Sequence, residues 1–199
     1  MIPSFSYDQH EILKNILVLS DLKVFDADLS YGNGKFYTDI PAPSLRFDVD
    51  PQVEGVVKAS SDSIPLPGNC MNSIVFDPPF LTYVKQARDH NSIMAKRFGG
   101  YWRYDELEDH YRGTLKEAHR LLSKKGIMVF KCQDIIHNHK MHSTHINVVS
   151  WSKGLFRLKD MFILGAKHRI PIPEQEGVKK KVQKHARVFH SYFMVLEKI

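Results

Sequence analysis

The chain contains 199 residues, 43% of them hydrophobic and 25% charged, which is the composition of a soluble globular protein with a core of its own. Its longest apolar runs are far shorter than the roughly 20 residues that a membrane-spanning helix needs, so we expect no membrane partner. The formal net charge of +6 is uneven: residues 1–80 carry 5 Lys/Arg against 11 Asp/Glu, and residues 81–199 carry 23 against 11. The basic part predicts a large anionic partner such as nucleic acid, with a solvated cationic surface as the alternative.

Targeting and redox signals favour a cytoplasmic protein. Residues 1–8 show neither the basic region nor the apolar core of a signal peptide. The two cysteines, Cys70 and Cys132, have no metal-ligand spacing and do not suggest the disulfide framework of a secreted protein. We therefore expect a reducing, cytoplasmic environment.

Helical and strand patterns alternate along the chain. Apolar residues recur at helical spacing in residues 7–19 and 104–122, and residues 143–152 form a third predicted helix. Short apolar and β-branched runs predict strands at residues 23–29, 45–49, 55–59, 73–76, 127–131, 156–164 and 188–196. This alternation predicts an α/β fold with a Rossmann-like, mostly parallel sheet of seven strands. The last two strands have no helical period between them, so we expect them to form an antiparallel hairpin at one edge.

A stiff turn follows the predicted fourth strand. Asp77 ends that strand and is followed by Pro78, Pro79 and Phe80. Neither proline can donate to a sheet ladder, so the strand stops there and the turn is rigid. The carboxyl edge of such a sheet is where ligands bind in open α/β folds. The alternative is that Asp77 merely ends a strand and Phe80 belongs to the core.

A glycine turn follows the predicted first strand. Gly32 and Gly34 lie one residue apart, beginning four residues beyond Asp28, and allow close approach of the backbone to a ligand; an ordinary turn is the alternative. Asp48 follows Asp28 by 20 residues, the distance at which dinucleotide-type folds place a carboxylate on the ribose hydroxyls. Prolines at 41 and 43 leave little helix to hold a pyrophosphate. A nucleoside cofactor without phosphates therefore fits better than NAD.

These motifs together resemble a known family. Asp-x-x-x-Gly-x-Gly-x-Phe at residues 28–36, Phe-Asp-x-Asp-Pro at 47–51 and Asp-Pro-Pro-Phe at 77–80 are similar to the motifs of S-adenosylmethionine-dependent amino-methyltransferases. That family methylates exocyclic amines of bases in DNA or RNA. The resemblance implies one methyltransferase domain over residues 1–199, S-adenosyl-L-methionine as cofactor, and a nucleic acid substrate, with DNA favoured over RNA. A methyltransferase domain over residues 1–199 leaves no room for a separate target-recognition domain. A partner protein that supplies specificity is therefore one expectation.

The resemblance also implies roles for residues, carried over by position. The cofactor set comprises Asp28, Ser30, Tyr31, Gly32, Gly34 and Asp48, together with Asp62 near the adenine, although Ser60 stands at the usual place of that acid. The catalytic set is the turn itself: Asp77 and the carbonyl of Pro78 accept hydrogen bonds from the target amine, Pro79 stiffens the turn, and Phe80 stacks on the base. Acceptors aimed at the amine favour its attack on the methyl group and stabilise the charge that develops.

Weaker signals concern the substrate side of the site. Basic and aromatic residues interleave in residues 81–104, as in a lid or a packed loop, and Arg103 lies at the end of this segment. Lys131 closes the predicted fifth strand, and Arg187 ends a second basic cluster at residues 179–187. We expect these three side chains to help bind substrate, while a solvated hairpin is the alternative for the cluster. The histidines at 137, 139, 142 and 145 fit no zinc spacing, so we predict no metal.

Three alternatives to DNA amino-methylation stay open at this stage. The base could belong to RNA, with adenine N6 or guanine N2 as the target. The chain could instead be a non-catalytic protein that binds S-adenosylmethionine and nucleic acid. A small-molecule or protein amine is the third alternative acceptor, which the basic part of the chain disfavours.

Overall fold

A computed structural model describes residues 1–82, 100–166 and 183–199. The helices are α1 (Gln9–Leu19), α2 (Tyr104–Leu121) and α3 (Thr144–Trp151), with a 3-10 turn at Lys35–Tyr37. The strands are β1 (Phe5–Ser6), β2 (Ala27–Asp28), β3 (Leu45–Asp48), β4 (Val57–Lys58), β5 (Met71–Phe76), β6 (Leu122–Cys132), β7 (Ile135–His137), β8 (Lys140–His142), β9 (Phe156–Gly165) and β10 (His190–Lys198).

The main sheet has eight strands in the order β1-β9-β10-β6-β5-β2-β3-β4. Neighbouring strands pair parallel except β10, which is antiparallel to both β6 and β9. The predicted α/β class, the mostly parallel sheet and the antiparallel pairing of the last two strands are therefore confirmed. One detail differs from the prediction: β1 adds an eighth strand outside β9. The antiparallel pair is thus one strand away from the edge.

The sheet is covered on both faces by apolar helices. Alternate residues of β5 point in opposite directions, so Ile74 and Phe76 join the core under α2, whereas Val75 joins the core under α1. On α2 the buried stripe is Leu107, Tyr111, Leu115, Ala118 and Leu121, and on α1 it is Ile12, Leu13, Ile16 and Leu17. A parallel sheet needs this double cover, because both of its faces carry apolar side chains.

The ends of two elements differ from the sequence prediction. The predicted strand at residues 23–29 is reduced to β2, because the Asp26 carboxylate accepts the N–H groups of Asn72 at 2.6 Å and Ser73 at 3.1 Å. Helix α2 passes directly into β6, which begins well before the predicted residue 127. Gly126 therefore lies inside the strand, where an added Cβ would stand 2.9 Å from the Ser123 carbonyl oxygen.

A small hairpin, β7–β8, leaves the carboxyl end of β6 and was not predicted from the sequence. Asn138 and His139 at its tip have φ of 50° and 58°, so both residues adopt the left-handed conformation of a tight hairpin turn. None of the helices in the described ranges combines the length and the apolar character that crossing a bilayer requires.

Candidate functional site

The carboxyl ends of four neighbouring parallel strands meet at one edge of the sheet. Asp28 on β2 is in register with Arg46 on β3 and with Val75 on β5, and Phe76 is in register with Phe130 on β6. The residues that follow these positions therefore converge. They include Asp48, Asp77 and Lys131, three of the residues that the sequence selected. This edge is the binding edge of open α/β sheets.

The Asp77 turn is anchored on both sides. Its backbone N–H donates to the Ser30 hydroxyl at 2.7 Å, so the loop after β2 is tied directly to the turn after β5. On the other side the Tyr111 hydroxyl of α2 donates to the carbonyl oxygen of Pro79 at 3.2 Å. Pro78 is buried, whereas the Phe80 ring is only partly buried against the core under α2. The turn is thus rigid, and part of the Phe80 ring stays accessible.

Lys131 lies against the Asp77 carboxylate. Its Nζ is 3.1 Å from Asp77 Oδ2 and 2.8 Å from Gln9 Oε1, and the residue is only 7% exposed. The ammonium also stands 5.0 Å from the ring centroid of Phe36 and 5.3 Å from that of Phe193. A buried cation needs such partners, since its desolvation is costly. Lys131 therefore binds Asp77 directly, and its predicted contact with substrate remains a prediction.

Asp28 is the most deeply buried acid of the site. It accepts the Ser30 N–H at 2.7 Å on Oδ1 and the Tyr37 hydroxyl at 2.6 Å on Oδ2. Burial raises the pKa of Asp28 to about 7; the hydrogen bonds from Tyr37 and Ser30 oppose that rise, and the charge of Asp77 adds to it. Asp28 consequently anchors the glycine turn through its hydrogen bonds with Ser30 and Tyr37.

The two glycines of the turn have different reasons to be glycine. Gly34 has φ of +77°, and an added Cβ would stand 2.9 Å from the Tyr31 hydroxyl. Gly32 has φ of +56° with open space where its Cβ would be. That space is a cradle that a side chain would fill, and a cofactor could approach the backbone there. The Tyr31 ring stacks on Tyr37 with centroids 5.6 Å apart, forming one wall of the turn.

Asp48 lies next to this cradle. Its Oδ2 accepts the Gly32 N–H at 2.7 Å and its Oδ1 accepts the Asp50 N–H at 2.8 Å. Each carboxylate oxygen has a second lone pair, so Asp48 can still accept hydrogen bonds from ribose hydroxyls. Asp62 lies in the segment after β4, where its Oδ1 accepts from the Ser60 hydroxyl at 2.5 Å and its Cβ lies beside Gly113 of α2.

The remaining sequence-predicted residues do not join this cluster in the described contacts. Arg103 precedes α2, and its guanidinium pairs with Asp105 at 3.0 Å and with Glu106 at 3.8 Å. Arg187 is exposed, three residues before β10. Two predicted segments lie partly outside the described residues: residues 83–99 of the basic, aromatic segment at 81–104, and residues 179–182 of the cluster at 179–187.

Sequence analysis missed a hydrogen-bonded chain beside the site. Tyr101 OH lies 2.5 Å from Nδ1 of His110, and Nε2 of His110 lies 2.7 Å from the Ser61 hydroxyl, which contacts Thr114 at 2.7 Å. Burial lowers the pKa of His110, so this imidazole is neutral at pH 7. These hydrogen bonds connect the segment after the Asp77 turn with the segment after β4. Ser61 and His110 are 49 residues apart, so no local pattern could have shown their contact.

A second missed cluster lies where β6 ends. The Asp134 Oδ1 oxygen is 2.7 Å from His145 Nδ1, and the His145 ring stacks on Tyr192 with centroids 4.1 Å apart. His190 Nε2 is 2.9 Å from the Tyr192 hydroxyl. His145 is one of the four histidines that fit no zinc spacing, and it pairs with a buried carboxylate at the same sheet edge as Asp77. Within the described ranges no three His, Cys, Asp or Glu side chains are placed to hold a metal ion.

Comparison with solved structures identifies the fold. The chain is similar to an S-adenosylmethionine-dependent methyltransferase from Archaeoglobus fulgidus, with a TM-score of 0.51, 12% identity and coverage of 96% of this chain and 92% of that one. It is also similar to a protein described as a "putative sarcosine dimethylglycine methyltransferase" from Galdieria sulphuraria, with a TM-score of 0.55, 14% identity and coverage of 94% and 84%. TrmN from Thermus thermophilus gives a TM-score of 0.52 with 15% identity and coverage of 95% and 48%.

The chain spans about half the length of two of its structural relatives. It covers 48% of TrmN and 54% of a protein described as a "putative DNA modification methylase", also from Thermus thermophilus, the latter with a TM-score of 0.48 and 16% identity over 77% of this chain. No protein-family model matches the sequence, and no curated protein matches it significantly. At these identities the likeness establishes the fold alone, which is that of the Rossmann-like methyltransferases.

Proposed function

We propose that this protein transfers a methyl group from S-adenosyl-L-methionine to the exocyclic amine of a nucleobase, adenine N6 or cytosine N4, in DNA. The observation that carries the proposal is the 2.7 Å hydrogen bond from the Asp77 N–H to Ser30. It holds a rigid acid-bearing turn against a glycine turn shaped for a nucleoside cofactor. Methyl transfer requires that the two binding sites be in fixed relation, because alignment of the reacting atoms supplies much of the rate.

The residues present fit the cofactor. The open space at Gly32, the Asp48 carboxylate beside it and the acidic character of the surroundings suit a cationic nucleoside with a free ribose. Asp48 would hold the ribose hydroxyls and the Gly32 backbone would face the methionine part. Asp28 holds this turn in place through its hydrogen bonds with Ser30 and Tyr37. When bound, the cofactor supplies an electrophilic methyl group on a sulfonium, which needs no acid catalyst.

The Asp77 turn would hold the amine that accepts the methyl group. The Asp77 carboxylate and the carbonyl oxygen of Pro78 each accept a hydrogen bond from one N–H group of the amine. These hydrogen bonds make the nitrogen lone pair available for attack. The new N–C bond forms as the C–S bond breaks, and sulfur keeps that electron pair. The cationic amine then gives its proton to Asp77 and from there to water. Phe80 offers the exposed part of its ring to the base.

The proposal is tested by methyl transfer from labelled cofactor to pooled double-stranded DNA, single-stranded DNA and RNA, followed by mass spectrometry of the nucleosides. We expect N6-methyladenine or N4-methylcytosine from DNA. Asp77→Ala should lower the rate by more than about 10²-fold while cofactor affinity, measured by titration calorimetry, stays within severalfold. Asp109→Ala, which removes an exposed acid on α2, is the matched control and should retain activity.

Other outcomes of this test identify the alternatives. Methylated adenine or guanine in the RNA pool alone would replace the DNA substrate with RNA. Cofactor binding without transfer to any pool would end the proposal of nucleic acid methylation, and would leave the binding protein and the small-molecule or protein amine acceptor as the alternatives.

A further inference from the structure

A shallow aromatic groove lies at the far end of the same sheet edge. It has a volume of about 330 Å³ and lies between the end of β9 and the start of β10, with Phe5, Tyr7, Phe189 and His190 among its lining residues. Phe5, Tyr7 and Phe189 are 46%, 54% and 44% exposed. Large aromatic rings that remain this accessible around one concave site point to a binding surface.

The walls of the groove are formed by aromatic rings. The Phe5 and Tyr7 rings meet edge to face, with centroids 5.0 Å apart and planes at 88°. They lie so close to the backbone of Gly165 that an added Cβ there would stand 2.8 Å from Tyr7 and 2.9 Å from Phe5. Gly165 thus allows the two rings to settle on the end of β9. Aromatic rings and the end of β9 thus line the groove together, which suits a planar ligand.

The groove is continuous with the methyl-transfer edge. β1, β9, β6 and β5 are mutually parallel, so the end of β9 lies on the same side of the sheet as Asp77. Three strand spacings separate β5 from β9, or roughly 14 Å. Between them stand His145, Tyr192 and His190, linked by ring contacts of 4.1 and 5.1 Å. A row of polar aromatic side chains therefore leads from the end of β6 to the groove.

Exposed basic residues that precede Phe189 in the chain indicate which kind of ligand the groove binds. Lys184 and Arg187 are exposed in the segment that leads directly to Phe189. The chain from residue 81 onward carries 23 Lys/Arg against 11 Asp/Glu. Planar aromatic walls beside exposed cations match a nucleotide, whose base stacks and whose phosphate is anionic. An acidic peptide would satisfy the cations but would leave the ring walls without a planar partner.

We propose that this groove binds one unpaired nucleotide of the nucleic acid substrate, a few nucleotides from the base that is methylated. The proposal rests on the proposed function for the nature of the substrate. A base that is paired and stacked in a duplex cannot present its face to these rings, so the groove favours single-stranded or locally opened nucleic acid. Stacking is tolerant of sequence, because every base has such a face.

The test is binding of a fluorescein-labelled single-stranded DNA of about 16 nucleotides, measured by anisotropy, and of a set of oligonucleotides with one abasic position each. Wild type should lose about tenfold in affinity for the oligonucleotide whose abasic site meets the groove. Tyr7→Leu and Phe189→Leu should each bind the intact oligonucleotide about tenfold more weakly and should no longer distinguish that abasic position. Val18→Ala, which truncates an exposed apolar side chain on α1, is the control and should bind as wild type does.

The remaining outcomes are separable. Thermal melting and cofactor titration show whether the leucine variants are folded; a variant that fails both is replaced by Phe5→Leu, which changes the third aromatic ring of the groove. Variants that bind every oligonucleotide as wild type does would overturn the groove proposal. So would a wild-type dimer in sedimentation that becomes a monomer in these variants, since the groove would then join two copies of the chain. Because the readout is binding, a missing methyl-transfer activity would contradict the proposed function without deciding the role of the groove.

Discussion

Ser30 joins two acids of the binding edge: its hydroxyl accepts the Asp77 N–H at 2.7 Å, and its own N–H donates to Asp28 Oδ1 at 2.7 Å. The Ser30 hydroxyl also lies 3.3 Å from that same Asp28 oxygen. A single side chain thus connects the ends of β2 and β5, which are neighbours in the sheet. A change in the conformation of the turn after β2 should therefore move Asp77 through this hydrogen bond.

Replacing Ser30 should therefore disturb both stability and activity. Ser30→Ala leaves the Asp77 N–H without its acceptor, which should lower the free energy of unfolding by about 1–2 kcal/mol in urea denaturation. The methyl-transfer rate should fall more than cofactor affinity does, because the displaced turn carries Asp77, the acid proposed to bind the amine. Ser30→Thr keeps a hydroxyl and should recover part of the rate, and Ser44→Ala at an exposed serine should change neither quantity. A Ser30→Ala variant with wild-type rate would contradict this account.

The buried Asp28 predicts a pH dependence of stability. Its pKa is raised by burial from 3.8 to about 7, so between these values the folded protein holds a proton that the unfolded chain releases. The free energy of unfolding should consequently fall as pH rises from about 4 to about 7, by an amount that cannot exceed roughly 4 kcal/mol for this group. Asp28→Asn keeps the shape and removes the charge.

Urea denaturation of wild type and Asp28→Asn at several pH values measures this effect. Asp28→Asn has no carboxyl group to titrate at this position, so it should lack this loss of stability. Its free energy of unfolding should therefore rise relative to that of wild type as pH increases from about 4 to about 7. Asp21→Asn, at an exposed position, should follow wild type. Parallel curves for wild type and Asp28→Asn would show that Asp28 does not titrate in this interval.

Lys131 should control how strongly the site prefers a cationic ligand. It is the buried cation that lies 3.1 Å from Asp77 Oδ2. Lys131→Met preserves the packing on Phe36 and Phe193 but leaves Asp77 without its counter-charge. The affinity for S-adenosylmethionine should then rise severalfold relative to S-adenosylhomocysteine, whose sulfur is neutral. Methyl transfer should nevertheless slow, because Asp77 loses the contact that orients it.

Calorimetric titration of both ligands tests this prediction. Lys14→Met is the matched control, because it removes the same charge from an exposed position on α1. If the ratio of the two affinities shifts equally in both variants, the effect is one of net charge and not of the Lys131–Asp77 pair.

The positions of the turns at the carboxyl edge of the sheet could be predicted from the sequence, because their signals are local. Asp77 ends an apolar run and precedes two prolines, and Gly34 stands where φ is positive, so each position shows its constraint in its own neighbourhood. Strand lengths were less predictable: β2 is short because Asp26 bonds to amides of β5 that lie 46 and 47 residues further along the chain.

The same reasoning explains what was missed. His145 meets Asp134 only because the β7–β8 hairpin folds back between them, and the tip of that hairpin is Asn138-His139 without the glycine that usually marks such a turn. The aromatic groove joins residues near position 5 with residues near position 189, so its composition is visible only after β1 has paired with β9.

The chain from Tyr101 through His110 to Ser61 should act as one unit. Its hydrogen bonds of 2.5 and 2.7 Å connect Tyr101, which precedes α2, to the loop after β4. Tyr101→Phe and Ser61→Ala each remove one end of this chain. Each should lower the free energy of unfolding by about 1–2 kcal/mol, because each leaves one ring nitrogen of His110 without a partner inside the protein.

A double-mutant cycle measures the coupling between the two ends. The double variant should lose less stability than the sum of the two single variants, with a coupling of about 0.5 kcal/mol or more. Because burial lowers the pKa of His110, wild type should also lose stability as pH falls below about 6.5, where the unfolded imidazole binds a proton more readily than the folded one. His110→Gln should weaken that acid dependence. Strict additivity in the cycle, together with an unchanged acid dependence in His110→Gln, would show that Tyr101 and Ser61 contact His110 without acting through it.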